Sequence, residues 1–212
     1  TREESDTCPV NDTPIDLRSD TLTLPTDAMR EVMASAPVGD DMFSEDPTVS
    51  ALEARFCEIT GMEAAVFVPS GTMANQLAIR AQTEPGDEII PHPESHIIHY
   101  ESGEIAALAG VMPRYADGPR GTFTPDKIRE LVKPVDVHCC VTKLVTLENT
   151  HNRGGGSIWP IDLLHSVIDA AHEQNLRVHI DGARIWNASV ATDNSIREIV
   201  GAADSVSACL SK

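Results

Sequence analysis

The sequence predicts an α/β protein whose mainly parallel sheet is covered by helices on both faces. Three observations predict it. Strand-like and helix-like segments alternate along most of the 212 residues. The strand-like segments are short and apolar, as buried parallel strands are. The helical segments carry their start and stop residues at fitting places. Hydrophobic residues make up 41% of the chain, enough for one sizeable core.

Taken in order, residues 1–14 are polar with two prolines and read as a flexible arm before a domain spanning 15–212. Thr26 to Ala36 reads as a helix stopped by Pro37. Asp46 caps the next helix, with Pro47 at its first position. Val49, Leu52, Phe56 and Ile59 then recur every three or four residues until Gly61 ends it. Residues 64–68 read as a strand, and 71–81 as a helix with Met73, Leu77 and 79–81 turned inward. Short strands follow at 87–91 and 111–115. Thr124-Pro125-Asp126 opens a helix that Pro134 closes, and 139–147 reads as a strand. The helix 160–173 is amphipathic, with Leu163, Leu164, Val167, Ile168 and Ala171 on one face. A strand at 176–181, a helix around 196–200 and a strand at 205–210 complete the pattern.

The formal net charge is −17. So acidic a surface argues against nucleic acid and anionic membranes as partners. No apolar run approaches the ~20 residues of a membrane span, and the first residues lack an apolar signal core. The five cysteines, Cys8, Cys57, Cys139, Cys140 and Cys209, include no CxxC pair and read as reduced core thiols of a cytoplasmic protein. No Cys/His cluster has metal-ligand spacing, so no metal is expected.

The chemistry lies at strand ends. Asp181 ends the strand 176–181 and runs into Gly182-Ala183-Arg184, while Lys212 follows the strand 205–210. A carboxylate at one strand end and an amine at a later one suit pyridoxal phosphate (PLP). The amine condenses with the aldehyde, and the carboxylate keeps the pyridine nitrogen protonated, so that the ring withdraws electrons. Pro69-Ser70-Gly71-Thr72 sits between a strand and a helix. Free N–H groups at the helix start, a glycine and two hydroxyls make a phosphate cradle; a plain helix cap by Ser70 is the other reading. His96 also follows a short strand, on the side of an open α/β sheet where ligands bind. Its imidazole can stack on a pyridine and exchange protons near neutral pH. Leu147-Glu-Asn-Thr-His-Asn152, leading to three glycines, fits a pocket rim or a solvated turn. By composition, Ile15 to Thr21, Gly39-Asp-Asp41 and Glu45-Asp-Pro47 are surface loops.

Together, Asp16-Leu-Arg-Ser-Asp-Thr21, Gly39-Asp-Asp41, Phe67-Val-Pro-Ser-Gly-Thr-Met73, Ser95-His96, Glu148-Asn-Thr-His-Asn152, His179-Ile-Asp-Gly-Ala-Arg184 and Cys209-Leu-Ser-Lys212 resemble the L-threonine aldolases (low-specificity and L-allo-threonine types). These are PLP enzymes of fold type I, the aspartate aminotransferase superfamily, and the match runs in order over about residues 15–212. The resemblance implies cleavage of L-threonine or L-allo-threonine, small β-hydroxy amino acids, to glycine and acetaldehyde. It implies that Lys212 holds the cofactor, Asp181 faces the pyridine nitrogen, and Gly71, with Ser70 and Thr72, binds the phosphate. It makes His96 the residue stacked on the cofactor and His151 the contact to the substrate hydroxyl, with either histidine or a water taking the hydroxyl proton. Arg184 and Ser19 match positions that hold the substrate carboxylate and the neighbouring cofactor oxygen, and Tyr100 one that lines the substrate site. It implies a homo-oligomer, a dimer of dimers. Family members continue past the lysine with a glycine-rich stretch and a small C-terminal domain, so the expectation is a large domain cut off at Lys212. Another fold type I enzyme, either a β-eliminating lyase or one resembling serine hydroxymethyltransferase, and a catalytically silent fragment are the alternatives.

Overall fold

The computed structural model describes residues 14–212, and the arm expected over 1–14 lies, Pro14 apart, outside them. Five strands form one parallel sheet: β1 (Glu88–Ile90), β2 (Met112–Pro113), β3 (Thr142–Glu148), β4 (Arg177–Gly182) and β5 (Ser205–Ala208), in the order β2-β1-β3-β4-β5. The α/β class with a parallel sheet is as the alternation predicts. Nine α-helices are found among the described residues: α1 (Asp27–Ser35), α2 (Pro47–Thr60), α3 (Gly71–Gln82), α4 (His96–His99), α5 (Glu104–Ala107), α6 (Pro125–Leu131), α7 (Ile161–Glu173), α8 (Ile185–Thr192) and α9 (Ile196–Val200).

Residues alternate between the faces of the sheet because a strand's side chains have a period of two. Ile89 and Leu144 pack with Ile79 of α3, Ile97 of α4 and Ile105 of α5. Their neighbours Ile90 and Val145, with Leu147, Val178 and Ile180, pack on the other face against α6 to α9. Helices therefore cover both faces, and α7 presents Leu164, Val167, Ile168 and Ala171 as its pattern requires. The caps follow the sequence too: Thr26 accepts from Met29 N–H, and Asp46 accepts from Thr48 and Val49 N–H.

Several expectations change. Residues 64–68 join no sheet among the described residues, and Val66 and Phe67 are exposed; apolar character without a neighbouring ladder does not make a strand. In α3 the inward face is Asn75, Gln76 and Ile79, while Met73 and Leu77 face out. The strand 139–147 starts only at Thr142, and 205–210 ends at Ala208. Helices α4, α5 and α8 have no counterpart in the sequence reading. Cys57, Cys139, Cys140 and Cys209 are free but half-buried rather than in the core, and Cys8 lies outside the described residues.

Candidate active site

One face of the sheet is polar at its C-terminal end. Continuing from Leu144, the period of two puts Thr146 and Glu148 of β3 on the face that α3 covers. His179 and Asp181 of β4 and Ser207 of β5 lie there too, since all three bond to Asn75 of α3. This is why α3 turns an amide pair inward instead of Met73 and Leu77: buried polar groups need partners.

Asn75 is the hub. Its Nδ2 donates to Glu101 Oε1 at 2.8 Å and to Asp181 Oδ2 at 2.9 Å. Its Oδ1 accepts from the Ser207 hydroxyl at 2.7 Å and lies 3.1 Å from His179 Nε2. Asp181, buried at 5% exposure, also accepts from Ala183 N–H at 3.1 Å. Glu101 follows α4, is 1% exposed, and accepts from Gln76 Nε2 at 2.6 Å and from His96 Nδ1 at 2.8 Å. The Glu101 bond holds His96 above the ordinary histidine value. Donor atoms of His96, Glu101 and Asp181 all lie within 4.8 Å of one another, and the Asn75 amide lies between the two carboxylates. That arrangement suits a hydrogen-bonded cluster.

Glu148 ends β3 beside Asp181, its partner in the ladder with β4. It accepts from His96 N–H at 2.7 Å and from Asn152 N–H at 2.8 Å. Burial first, and the Asp181 charge second, push its carboxyl up to about 7. His151 is fully buried. Its Nδ1 accepts from Gly154 N–H at 3.0 Å, which leaves the ring hydrogen of the neutral form on Nε2. That Nε2 lies 3.8 Å from Glu148 Oε2 and has no hydrogen-bond partner among the described residues. Burial brings His151 down to about 4. Gly121 makes room for the ring: at φ +88 it passes so close that a Cβ would fall 2.1 Å from His151 Cγ. His92 stacks edge-on against the same ring at 5.0 Å.

The remaining expected site residues gather around this cluster. Arg184, just after β4, pairs with both carboxylate oxygens of Asp20, which lowers the Asp20 carboxyl below its usual range. Lys212 is half-buried and close enough to Asp20 and Cys209 to act on the charge of both. The Trp186 indole donates to the Cys209 carbonyl at 2.9 Å and so fixes the chain that leads to Lys212. Ser70, Gly71 and Thr72 start α3 directly beside this segment, for a Cβ on Gly71 would fall 2.6 Å from Cys209 Sγ. Ser70 caps the helix by accepting from Met73 N–H at 3.1 Å. Tyr100 is half exposed, 5.3 Å from the His96 ring, and accepts from Arg153 Nη1 at 3.1 Å. Ser19 is exposed and bonds within its own turn, to Thr21, next to Asp20.

Thus Lys212, Asp181, His96, Arg184 and the start of α3 meet at one edge, with His151 just beneath it behind Glu148. Ser19 and Tyr100 sit at the rim. Sequence reasoning gave no role to Asn75, Gln76, Glu101, Glu148 or Asp20. A signal was present: β3, β4 and β5 read Thr-Leu-Glu, His-Ile-Asp and Ser-Val-Ser, an alternation that strands buried on both faces lack unless one face holds a polar network.

Comparison with known proteins gives one family. The family described as "Beta-eliminating lyase" matches residues 16–212. A low specificity L-threonine aldolase of Escherichia coli (strain K12) is 45% identical over 199 residues, which are 93% of this chain and 59% of that one. Low-specificity L-threonine aldolase 1 of Arabidopsis thaliana is 41% identical over 202 residues, 93% and 56% of the two chains. The structure of Leishmania major threonine aldolase shares the fold, with a TM-score of 0.71 and 23% identity over 82% of this chain and 51% of that one. The chain spans a little over half the length of these relatives.

Proposed function

Because the chain belongs to the beta-eliminating lyase family, we propose that it carries the cofactor-binding part of a PLP-dependent aldolase. Its reaction is cleavage of L-threonine or L-allo-threonine to glycine and acetaldehyde. The observation that carries the reading is Asp181, buried at the C-terminal edge of the sheet among His96, Arg184 and the segment of Lys212. The 41–45% identity to low-specificity L-threonine aldolases supports the substrate class.

The residues fit the cofactor on three counts. Asp181 offers a buried carboxylate whose orientation is fixed by Asn75 and Ala183. Gly71 brings the open N–H groups of a 12-residue helix against the segment of Lys212, where a Cβ would collide. Nε2 of His151 is a buried donor with no partner among the described residues, as suits a side chain whose partner is a ligand.

When bound, PLP supplies an electron sink for the pair released as the substrate Cα–Cβ bond breaks. Lys212 would hold the cofactor through its aldehyde, and Asp181 would face its ring nitrogen. Ser70, Gly71 and Thr72 would receive the phosphate, and His96 would lie against the ring. Arg184 has a fork of donors that already engages the Asp20 carboxylate two-pronged, a geometry that suits a substrate carboxylate equally. Ser19 and Tyr100 line the entrance. The hydroxyl proton needs an acceptor. His151 presents Nε2–H and so donates to the hydroxyl oxygen, while Glu148, 3.8 Å away and pushed up to about 7, takes a proton near neutral pH. The assembly is a cytoplasmic homo-oligomer, a reading supported by exposed apolar side chains such as Met29, Val32, Met33, Phe43, Val66 and Phe67. No described helix is long and apolar enough to cross a membrane.

The test is the visible spectrum of the purified protein with PLP, before and after borohydride, with intact mass and product analysis. The expected result is a band lost on reduction, a phosphopyridoxyl mass fixed on Lys212, and glycine with acetaldehyde from threonine. Lys212→Ala should lose all three. A keto acid with ammonia would make the protein a β-eliminating enzyme, and turnover surviving in Lys212→Ala would remove that lysine from its role.

A further inference from the structure

We infer that Glu101 and Asn75 are positioning residues that make one unit of His96 and Asp181. Glu101 fixes the His96 ring with its Nδ1 hydrogen turned inward, and Asn75 ties that carboxylate to Asp181. The inference rests on the proposed cofactor reading, in which those two groups grip the same ring.

Hydrogen-bond accounting carries it. Asn75 has two N–H donors and one carbonyl, and all are used: the donors go to Glu101 and Asp181, the carbonyl to Ser207 and His179. The opposite amide orientation would set its oxygen against two carboxylates, so only one orientation is possible. His179 must then donate from Nε2, and its Nδ1 accepts from the Ser205 hydroxyl at 2.9 Å. Burial brings this histidine down to about 4, so it stays neutral and supplies that single donor.

Glu101 is as fully committed. It receives N–H groups from Asn75, Gln76 and His96 and is sealed from solvent. A carboxylate has no hydrogen to give, so His96 Nδ1 must bear one, and Nε2 is left for the open side of the ring. The groups that act on His96 are Glu101 behind it, Asp181 from β4 and Glu148 from β3, with the Tyr100 ring 5.3 Å away. Glu101 is the one that bonds to the ring and the largest cause of its raised proton affinity. A filler role for Glu101 would need none of this: three convergent N–H donors, two from α3 and one from α4, are a holder for an anion, and the anion holds the imidazole.

The test is the pH titration of the His96 ring by NMR in the full chain without cofactor, assigned with His96→Asn. In the wild-type chain the midpoint lies above the ordinary ~6.5. Glu101→Gln sets an amide against three donors and removes the charge. It should lower the midpoint by about one pH unit, a roughly tenfold loss of proton affinity, and weaken PLP binding by a similar factor. Glu101→Asp keeps the charge and should restore most of the midpoint; if Glu101→Gln does not fold, the midpoint in Glu101→Asp should fall between wild type and 6.5. Asn75→Ala should weaken PLP binding with a smaller change in the His96 midpoint. A folded Glu101→Gln chain with an unchanged midpoint overturns the inference, as does Glu101→Asp with both midpoint and PLP affinity unchanged. A wild-type chain that takes up no PLP defeats the proposed function instead, and the titration still decides whether Glu101 governs His96.

Discussion

Two buried glutamates stand at opposite ends of the same parallel sheet and are treated in opposite ways. Glu88 opens β1 beside the start of β3, and Glu148 closes β3. They are 2% and 5% exposed. Glu88 has cations: Lys133 Nζ at 2.6 Å and Arg114 at 3.9 Å, with the Thr142 hydroxyl at 3.1 Å. Among the described residues, Glu148 has none in contact. It has two backbone N–H groups, a neutral histidine 3.8 Å away and another carboxylate, Asp181, as its ladder neighbour. Burial of both is affordable on different terms. At the first end a charge is balanced and the strands are held in place; at the second it is left unbalanced, so its proton is exchangeable near neutral pH.

The largest expected effect exchanges the two residues' fates. Under the proposed aldol cleavage, Glu148→Gln should lower turnover by about 10²–10⁴-fold, the range of general acid–base groups, with the fold retained, since the amide keeps an acceptor and loses an unfavourable charge. Glu88→Gln should leave turnover within a few-fold but cost roughly 1–3 kcal/mol, because it removes a hydrogen-bonded charge from buried partners. Rates of glycine formation and urea midpoints measure the pair. If Glu88→Gln silences the enzyme and Glu148→Gln only destabilises it, the comparison is inverted.

A smaller effect tests how firmly the second end is held. Gly121 and Gly155 both have positive φ, +88 and +80, but a Cβ on Gly121 would meet the His151 ring while one on Gly155 meets nothing within 4 Å. Gly155→Ala should cost only the backbone penalty of about 1–2 kcal/mol. Gly121→Ala should add an overpacking cost of about 1–3 kcal/mol and displace His151. Equal midpoints for the two variants would mean that the ring moves freely, and that the burial of His151 is not fixed by its neighbours.

The first end was easier to read than the second. Periodicity and caps placed α2, α6, α7 and the cores of all five strands within a few residues, because apolar patterns report burial directly. The motif residues that face a ligand were also legible, since Asp181, His96 and Lys212 each follow a strand. What stayed hidden was the layer that holds them. Asn75 and Gln76 looked like the outer face of α3 because hydrophobic reasoning sends amides to solvent; only the polar face of β3 to β5, assembled from segments over a hundred residues apart, draws them inward. Glu101 was one acid in an acidic chain, and nothing local distinguishes it from the half-buried Glu104 of α5. Residues 64–68 failed in the other direction, since a strand is a property of a pair.

The last effect is on stability against pH, where the contrast becomes a slope. His151 and His179 fall from 6.5 to about 4 on folding, so between those values the unfolded chain binds two protons that the folded chain does not. Glu148 rises from 4.5 to about 7, so between 4.5 and 6.5 the folded chain binds one that the unfolded chain lacks. The net difference is one proton in favour of the unfolded state, and stability should rise with pH by about 1.4 kcal/mol per unit in that window. Above 6.5 the two histidines contribute no further slope. Glu148 and the raised His96 then lose their contribution as pH climbs, so the maximum falls near pH 6.5. Glu148→Gln removes the opposing proton and should double the acid slope to about 2.7 kcal/mol per unit. Glu88→Gln, made where cations balance the charge, should lower the whole curve. Chemical unfolding from pH 4.5 to 8 in the three proteins measures this. Parallel curves for wild type and Glu148→Gln would mean that Glu148 is ionised in the fold like any surface acid, and the distinction between the two ends would rest on partners alone.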